Sequence, residues 1–254
     1  MNRGNREPAV EYATAGSVGI VSLNRPAVLN AYNMAMRDEM YAALSAVRDD
    51  PDMGSMILCG NGPAFSTGGD LTEFGTAPSV VAGREARWRR DVWGLLSSLT
   101  KPCVAAVHGY CVGGGFEMAL LCDFCLAADD ARFRYPETGL GMIPGVAGTQ
   151  TTPRLAGVGR ALDLVLAGRW LSADEAKDWG LVARVVPARR LRKEALALAR
   201  ALAEHPPDLL ARAKRAVIEG LELPLSDGLA LERRLATTLP NRSARPFSSS
   251  REIQ

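Results

Sequence analysis

Two carboxylates, Glu117 and Glu137, each stand beside backbone shaped for close approach. Glu117 closes the run Gly113-Gly114-Gly115-Phe116-Glu117. Glu137 follows Pro136 in Arg134-Tyr135-Pro136-Glu137, with an Ile143-Pro144-Gly145 turn close behind. Two carboxyls that converge on one pocket can divide the acid and base halves of a proton transfer between them. The sequence therefore points towards catalysis.

A second glycine pair lies upstream, in Ala64-Phe65-Ser66-Thr67-Gly68-Gly69-Asp70-Leu71, just after a strand-like apolar run. Its Asp70-x-x-Glu73 ending has the pattern of a capping box. Gly68 and Gly69 leave their amides open to a ligand, and the glycines at 113–115 open a helix whose N-terminal amides point outward. One amide from each turn would bind a single developing oxyanion, such as the enolate of a thioester carbonyl. Losing one donor from such a site typically costs about 3 kcal/mol. Taken singly, each cluster is equally well a tight turn, with Glu117 complementing a helix dipole.

The other candidates weigh less. His108 stands at a strand end and His205 precedes Pro206-Pro207 in a linker. Asp123 and Asp129 flank a buried strand, where caps and turns use such residues. Cys122-x-x-Cys125 has no second Cys/His pair at ligand spacing, so the five cysteines read as buried, reduced small hydrophobes and no metal is expected. That usage fits a cytoplasmic setting.

The elements that must position these residues follow from periodicity. Val10 to Leu23 reads as a hairpin, and Asn33 as the cap of a helix with Met36, Met40, Ala43, Leu44 and Val47 on one face. Met56 to Cys59, Val104 to Val107 and Phe124 to Ala128 are apolar runs of the kind covered on both faces. A helix from Gly114 to Leu121 between the last two makes a βαβ unit, hence a parallel sheet with right-handed crossovers. Residues 75–83 suggest a mobile loop before a helix spanning Arg84 to Leu99. Val182 to Val186 is a last strand. Helical stripes follow, through Leu191, Ala195, Leu198 and Leu202, then Leu210, Ala213, Val217 and Leu221, then Leu225, Leu229 and Leu235. The class is α/β, with residues 1–187 as the core, a seam near Pro187, and residues 188–254 as a helical C-terminal region.

Bulk properties bound the partner. Lys+Arg 30 against Asp+Glu 28 leaves a net charge of +2, which argues against nucleic acid or a membrane surface as the main partner. The Arg84, Arg87, Arg89 and Arg90 cluster around Trp88, and the basic residues around Leu191, read as solvated helix faces. The polar stretch Met1 to Arg6 lacks a signal-peptide pattern, and the apolar run near Met118 is too short to span a membrane.

Four motifs in order now carry a resemblance. Leu23-Asn24-Arg25-Pro26 with Leu29-Asn30-Ala31, then Ala64 to Leu71, then His108 to Glu117, then Pro136-Glu137 with Gly141 to Gly145 and Gly148-Thr149-Gln150, resemble the enoyl-CoA hydratase/isomerase (crotonase) family. The resemblance implies a spiral core of repeated ββα units and a C-terminal trimerisation and lid region, in trimers often paired into hexamers. It makes the N–H groups of Gly69 and Gly114 the oxyanion hole and matches Glu117 and Glu137 to the two hydratase glutamates. Ala27, Leu29, Thr67, Asp70 and Leu71 match positions that line the path of the acyl-CoA thioester, in which coenzyme A is part of the substrate and no cofactor is called for.

The implied reaction is syn addition of water to a trans-2-enoyl-CoA. Enoyl-CoA isomerisation, another enolate-forming reaction on acyl-CoA, and a non-catalytic RNA- or protein-binding role stay as alternatives. Three departures from the family pattern stand out. Ala27 replaces a common Lys, which leaves Arg25 or the cluster near Arg87 to meet the CoA phosphates. Tyr135 occupies a place that often holds an amide. The Pro240 to Phe247 ending is short.

Overall fold

Alternating side chains along the central strands face two different cores, which is why those strands read as unbroken apolar runs. The computed structural model describes residues 7–238; the Met1 to Arg6 stretch, the Pro240 to Phe247 ending, the Ser248 to Ser250 tail and the Arg87 side chain lie outside the described residues. Strand β1 (Val10–Thr14) pairs antiparallel with β2 (Val18–Leu23) through a turn at Gly16, the expected hairpin. Helix α1 (Met34–Asp49) starts where Asn33 accepts a hydrogen bond from Met36 N, and it buries the five residues of the predicted face. Strand β3 (Ser55–Gly60) then lies parallel to β2.

The helix expected from Arg84 to Leu99 is two helices, α2 (Val80–Trp88) and α3 (Val92–Ser98). Asp91 divides them because its side chain accepts from Gly94 N and caps the second. Strand β4 (Cys103–Val107) leads into β5 (Tyr110–Val112), and α4 (Gly114–Leu120) follows. After β6 (Phe124–Ala128) and β7 (Arg132–Arg134) come α5 (Gly148–Ala156), α6 (Val158–Ala167), β8 (Leu171–Ser172), α7 (Ala173–Asp178) and β9 (Arg184–Val186).

The six-stranded sheet runs β1-β2-β3-β4-β6-β9, and a three-stranded sheet runs β5-β7-β8. Strand order never doubles back, so every crossover advances the chain in one sense. The result is a spiral of strand, short strand and helix, with each short strand delivered to the second sheet. Met56, Leu58, Ala105 and Val107 face the larger core with α1, α3 and α4. Ile57, Cys59, Val104, Ala106 and Leu126 face the opposite side.

That opposite side is covered by α8 (Ala188–Ala203) through Leu191, Ala195 and Ala199. Ser55 Oγ donates to Ala199 O at 2.8 Å, and a Cβ on Gly54 would come within 2.9 Å of Ala203. The seam expected near Pro187 therefore lies later, because the sheet needs α8 as its second cover; the compact units divide between Pro207 and Asp208. The second unit, described by itself, holds α9 (Pro207–Gly220) from Asp208 onwards and α10 (Leu225–Thr237). In α10 the buried residues are Leu231 and Leu235, whereas Leu225 and Leu229 of the predicted stripe are exposed. Among the described residues no helix is long and apolar enough to cross a membrane.

One buried amide ties the early turn to the first glycine loop. Asn30 is fully buried in the left-handed region (φ 56). Its Oδ1 accepts from Arg25 N at 2.7 Å, and its Nδ2 donates to Asn61 O and Ala64 O at 2.9 and 2.8 Å. Replacement by alanine strands those groups without partners. The expected outcome for Asn30→Ala is a loss of about 3 kcal/mol, measured as a lower urea midpoint at unchanged m value. A loss under about 0.5 kcal/mol, the size of an ordinary surface change, would show that the turn is held by something else.

Candidate active site

The two glycine turns meet because the first loop runs alongside β5. Phe65 N donates to His108 O, Ser66 N to Tyr110 O and Val112 N to Ser66 O. Close packing follows: a Cβ on Gly115 would sit 2.6 Å from Ser66 O, and one on Gly68 (φ +85) would sit 3.0 Å from Gly114 N. Gly69 N lies 3.9 Å from the place a Gly114 Cβ would take. Neither the Gly69 nor the Gly114 N–H finds an acceptor among the described residues. Two unpaired amides thus stand side by side, one in a loop and one in the first turn of a helix.

Glu117 belongs to that first turn of α4 and is 1% exposed. Its Oε1 accepts three backbone N–H groups, from Val146 at 3.0 Å, Ala147 at 2.9 Å and Gly148 at 2.8 Å. The side chain thereby caps α5, whose own N-cap residue, Ala147, supplies no side-chain acceptor. Three convergent amide dipoles complement negative charge on that oxygen. Oε2 accepts no hydrogen bond from the described residues and is left for something else.

Glu137 opens a short 3-10 turn after Pro136. Its carboxyl lies against the Gly113 Cα: a Cβ there would be 2.5 Å from Oε1, and Gly113 also has φ +52, so the position admits only glycine. Its Oε2 is buried with no partner. The carboxyl is raised to about 7, chiefly by burial and further by the charge of Glu117, against a backbone hydrogen bond within the residue that pulls it down. The two predicted glutamates are therefore brought to the same place, in unlike surroundings.

Tyr135 does not face them with its hydroxyl. Its ring is fully buried and stacks on Phe116 at 4.8 Å, and its hydroxyl pairs with Thr152 Oγ1 at 3.0 Å. That ring also explains Gly148, whose Cβ would come within 2.9 Å of it. Of the other predicted residues, Leu29 and Thr67 meet through the Leu29 carbonyl, which accepts from Thr67 N and Oγ1. Ala27 and Leu71 are exposed. Asp70 is held well inside the protein's own network: its carboxyl pairs with Thr72 and with Arg25 Nη1 at 2.9 Å, and these contacts lower its pKa. Glu73 does not close a capping box, because its Oε2 accepts from Met34 N instead.

The expected bystanders are structural. Asp123 Oδ2 accepts from Cys103 N, Asp129 Oδ1 accepts from Ala188 N at the start of α8, and His108 Nε2 lies 2.9 Å from Gly62 O. In the basic cluster, Arg90 pairs with Asp38 and Arg89 with Glu85. Among the described residues no group of three or more His, Cys, Asp or Glu is placed to hold a metal ion.

Sequence reasoning missed three parts of the site. The 146–148 amides carried a weak signal in the glycine-flanked approach to α5. Phe74 carried none, yet its ring lies 2.8 Å from where a Gly69 Cβ would be. Trp93 lies 3.9 Å from the corresponding point on Gly114, and it helps line a cleft of about 390 Å³ with Trp88, Asp91, Leu121 and Val146.

Residues 13–250 match the family model described as enoyl-CoA hydratase/isomerase. The chain is 43% identical over 218 residues to a probable enoyl-CoA hydratase of Mycobacterium bovis, covering 86% of this chain and 84% of that protein. It is 42% identical to a probable enoyl-CoA hydratase of Rhizobium meliloti, covering 89% and 87%. A crystal structure of an enoyl-CoA hydratase subunit from Geobacillus kaustophilus superposes with a TM-score of 0.84 at 38% identity, over 90% of this chain and 88% of that one. This chain belongs to the enoyl-CoA hydratase/isomerase family and has the crotonase-like α/β fold.

Proposed function

We propose that the chain is an enoyl-CoA hydratase, a lyase that adds water syn across the double bond of a trans-2-enoyl-CoA to give a 3-hydroxyacyl-CoA. The observation that carries this reading is the placement of two unlike carboxyls beside one pair of unpaired amides. The names of the relatives at 42–43% identity agree with it. The thioester oxygen sits between the Gly69 and Gly114 N–H groups. Water is held between Glu117 and Glu137; its oxygen adds to C3 and its proton goes to the free Oε2 of Glu117. The C2=C3 electrons move onto the thioester oxygen as an enolate, which the two amides stabilise. Collapse of the enolate takes a proton from Glu137 at C2.

The surroundings suit these roles. Oε1 of Glu117 is held by three backbone amides, which leaves Oε2 to meet the water, and Glu137, pushed up to about 7, still carries a proton in part of the population at neutrality. Hydration transfers no electrons, so this reading calls for no redox cofactor, and coenzyme A arrives with the substrate. The cleft beside Trp93 takes the acyl group. Assembly as a homotrimer or hexamer goes with the same reading, and the exposed Leu221 and Leu225 are side chains that such contacts would cover; a cytoplasmic location is part of it too. Tyr135, which stands where an amide is often found, packs into the core with its hydroxyl on Thr152 and gives no reason to prefer isomerisation.

Hydration of crotonyl-CoA, followed by loss of enoyl-thioester absorbance, tests the reaction directly, and no turnover on any chain length would sink it. Glu117→Gln and Glu137→Gln should each lose about 10²- to 10⁴-fold in kcat. An isomerase would keep most of its activity after the Glu117→Gln change.

The pH profile follows from the proton count on the pair. Hydration needs one proton, on Glu137; dehydration needs one proton, on Glu117. Both directions therefore draw on the singly protonated pair, and the equilibrium constant of a reaction that consumes no proton is independent of pH. We expect kcat/KM to fall above about pH 7 in both directions. A hydration limb that stays flat to pH 9 would contradict Glu137 as the proton donor.

Stability gives an independent check on the same carboxyl. Its folded pKa is raised above the unfolded 4.5, so the native state holds more protons and stability falls as pH rises from 4.5 through about 7. Glu137→Gln removes that loss. It should be more stable than the parent at pH 8, by about 1–2 kcal/mol once solvent screening at this half-buried site is allowed for. The gain should fade towards pH 4.5, as read by urea unfolding.

A further inference from the structure

Of the two unpaired amides, only Gly114 is fixed by a helix. Gly69 lies in irregular backbone, and its direction is set by neighbours. Tyr32 N donates to Gly68 O at 2.7 Å, and Asp70 N donates to Tyr32 O at 2.9 Å, forming a lone parallel bridge between Tyr32 and Gly69. The bridge uses the groups on either side of Gly69 and turns its own N–H to the free edge. One isolated bridge resists rotation weakly, since it has no neighbouring ladder bonds to share strain.

Arg25 supplies what the bridge lacks. Its Nη1 donates to Asp70 Oδ2 at 2.9 Å and also to Ala31 O, so one guanidinium holds the residue just before Tyr32 and the residue just after Gly69. The clip has firm footing. Arg25 N is fixed by the buried Asn30, and Asp70 Oδ1 is occupied by Thr72 N and Oγ1. The ion pair is largely shielded, with side-chain exposures of 23% and 13%.

We propose that Arg25 is a positioning residue: acting through Asp70 and Ala31, it fixes the direction of the Gly69 N–H, and it is not a contact for the phosphates of coenzyme A. The proposal rests on the oxyanion reading of Gly69 and Gly114 given above. A hydrogen-bond donor acts on a developing oxyanion only while it is aimed at it, and misplacement on the scale of 1 Å costs up to about a hundredfold in rate.

The test compares the parent with Arg25→Met, Asp70→Asn and the double variant, on crotonyl-CoA and on crotonyl-pantetheine, which lacks the nucleotide and its phosphates. Asp70→Asn keeps an acceptor for Thr72 while turning attraction to Arg25 into a clash of donors, so it serves even where Arg25→Met folds poorly. Each single variant should lower kcat about ten- to a hundredfold on both thioesters with little change in KM. The double variant should be no worse than the poorer single one, and Arg25→Lys should recover part of the loss. The carbonyl stretch of a bound, unreactive acyl thioester, red-shifted in the parent, should move back towards its free value.

A loss confined to KM for the coenzyme A substrate would overturn the proposal in favour of a phosphate contact. Unchanged kcat, or additive effects in the double variant, would overturn it as well. Should the parent hydrate neither thioester, the hydratase reading fails, and the carbonyl shift still decides whether Arg25 aims an amide at a bound thioester.

Discussion

Three amides converging on one oxygen of Glu117 are the constraint on which the rest of the site depends. A carboxylate buried to 1% exposure needs donors, and an isolated one would simply take up a proton. Here the donors come from the start of α5, a helix that has no side-chain cap of its own. Each partner supplies what the other lacks, so the helix end and the carboxylate are stable only together. The cost falls on shape. Gly148 must be glycine to let its N–H reach Oε1 past the Tyr135 ring, and that ring is in turn fixed by Phe116 and Thr152.

This arrangement also explains why an α/β spiral suits the site. Strands that advance in one direction bring successive turns out at the same end of the sheet, and each crossover adds another turn beside the last. The loop after β3 and the turn before α4 come from adjacent strands, so their glycines can touch. The turn before Glu137 and the start of α5 come from the next unit. Four segments distant in sequence become neighbours because the sheet order repeats the chain order.

How legible was this from the chain itself? Local signals were read well where one physical cause decided the outcome. The α1 face follows the 3.6-residue period, Asn33 caps it, and the doubly covered strands show as apolar runs. The glycine turns and both glutamates were weaker signals, since each taken singly is equally well a tight turn or a partner for a helix dipole, and only the order of four motifs together marked them out. What the sequence hid was reciprocal. Asp91 could not be seen to split a helix without knowing that Gly94 N would point at it. Glu73 fits a capping-box pattern, yet Met34 N, distant in the chain, claims its carboxylate. Residues 188–203 looked like the start of a separate region because periodicity shows that a stripe exists and not which surface it covers. Tyr135 could be recognised as a departure, but only packing shows that its ring props up the helix that holds Glu117.

The asymmetry between the two carboxyls follows from the same economy of donors. Amides at a helix start can converge on only one oxygen, and those of residues 146–148 are committed to Glu117. Glu137 must then sit against Gly113 with Oε2 unpaired, in a site that charge enters only at a desolvation cost and with a neighbouring carboxylate opposing it. Two like residues are thereby placed in unlike surroundings, and burial raises the carboxyl of Glu137 without a third charged group. On the proposed reading, two carboxyls so placed need no conformational change to divide a proton transfer, provided the reacting carbonyl is held still. The stiffness of the Gly69 loop therefore matters as much as the carboxyls. In the proposed hydration, two carboxyls in unlike surroundings do nothing for an enolate whose oxygen is free to wander, and a fixed oxygen does nothing without a proton donor at C2.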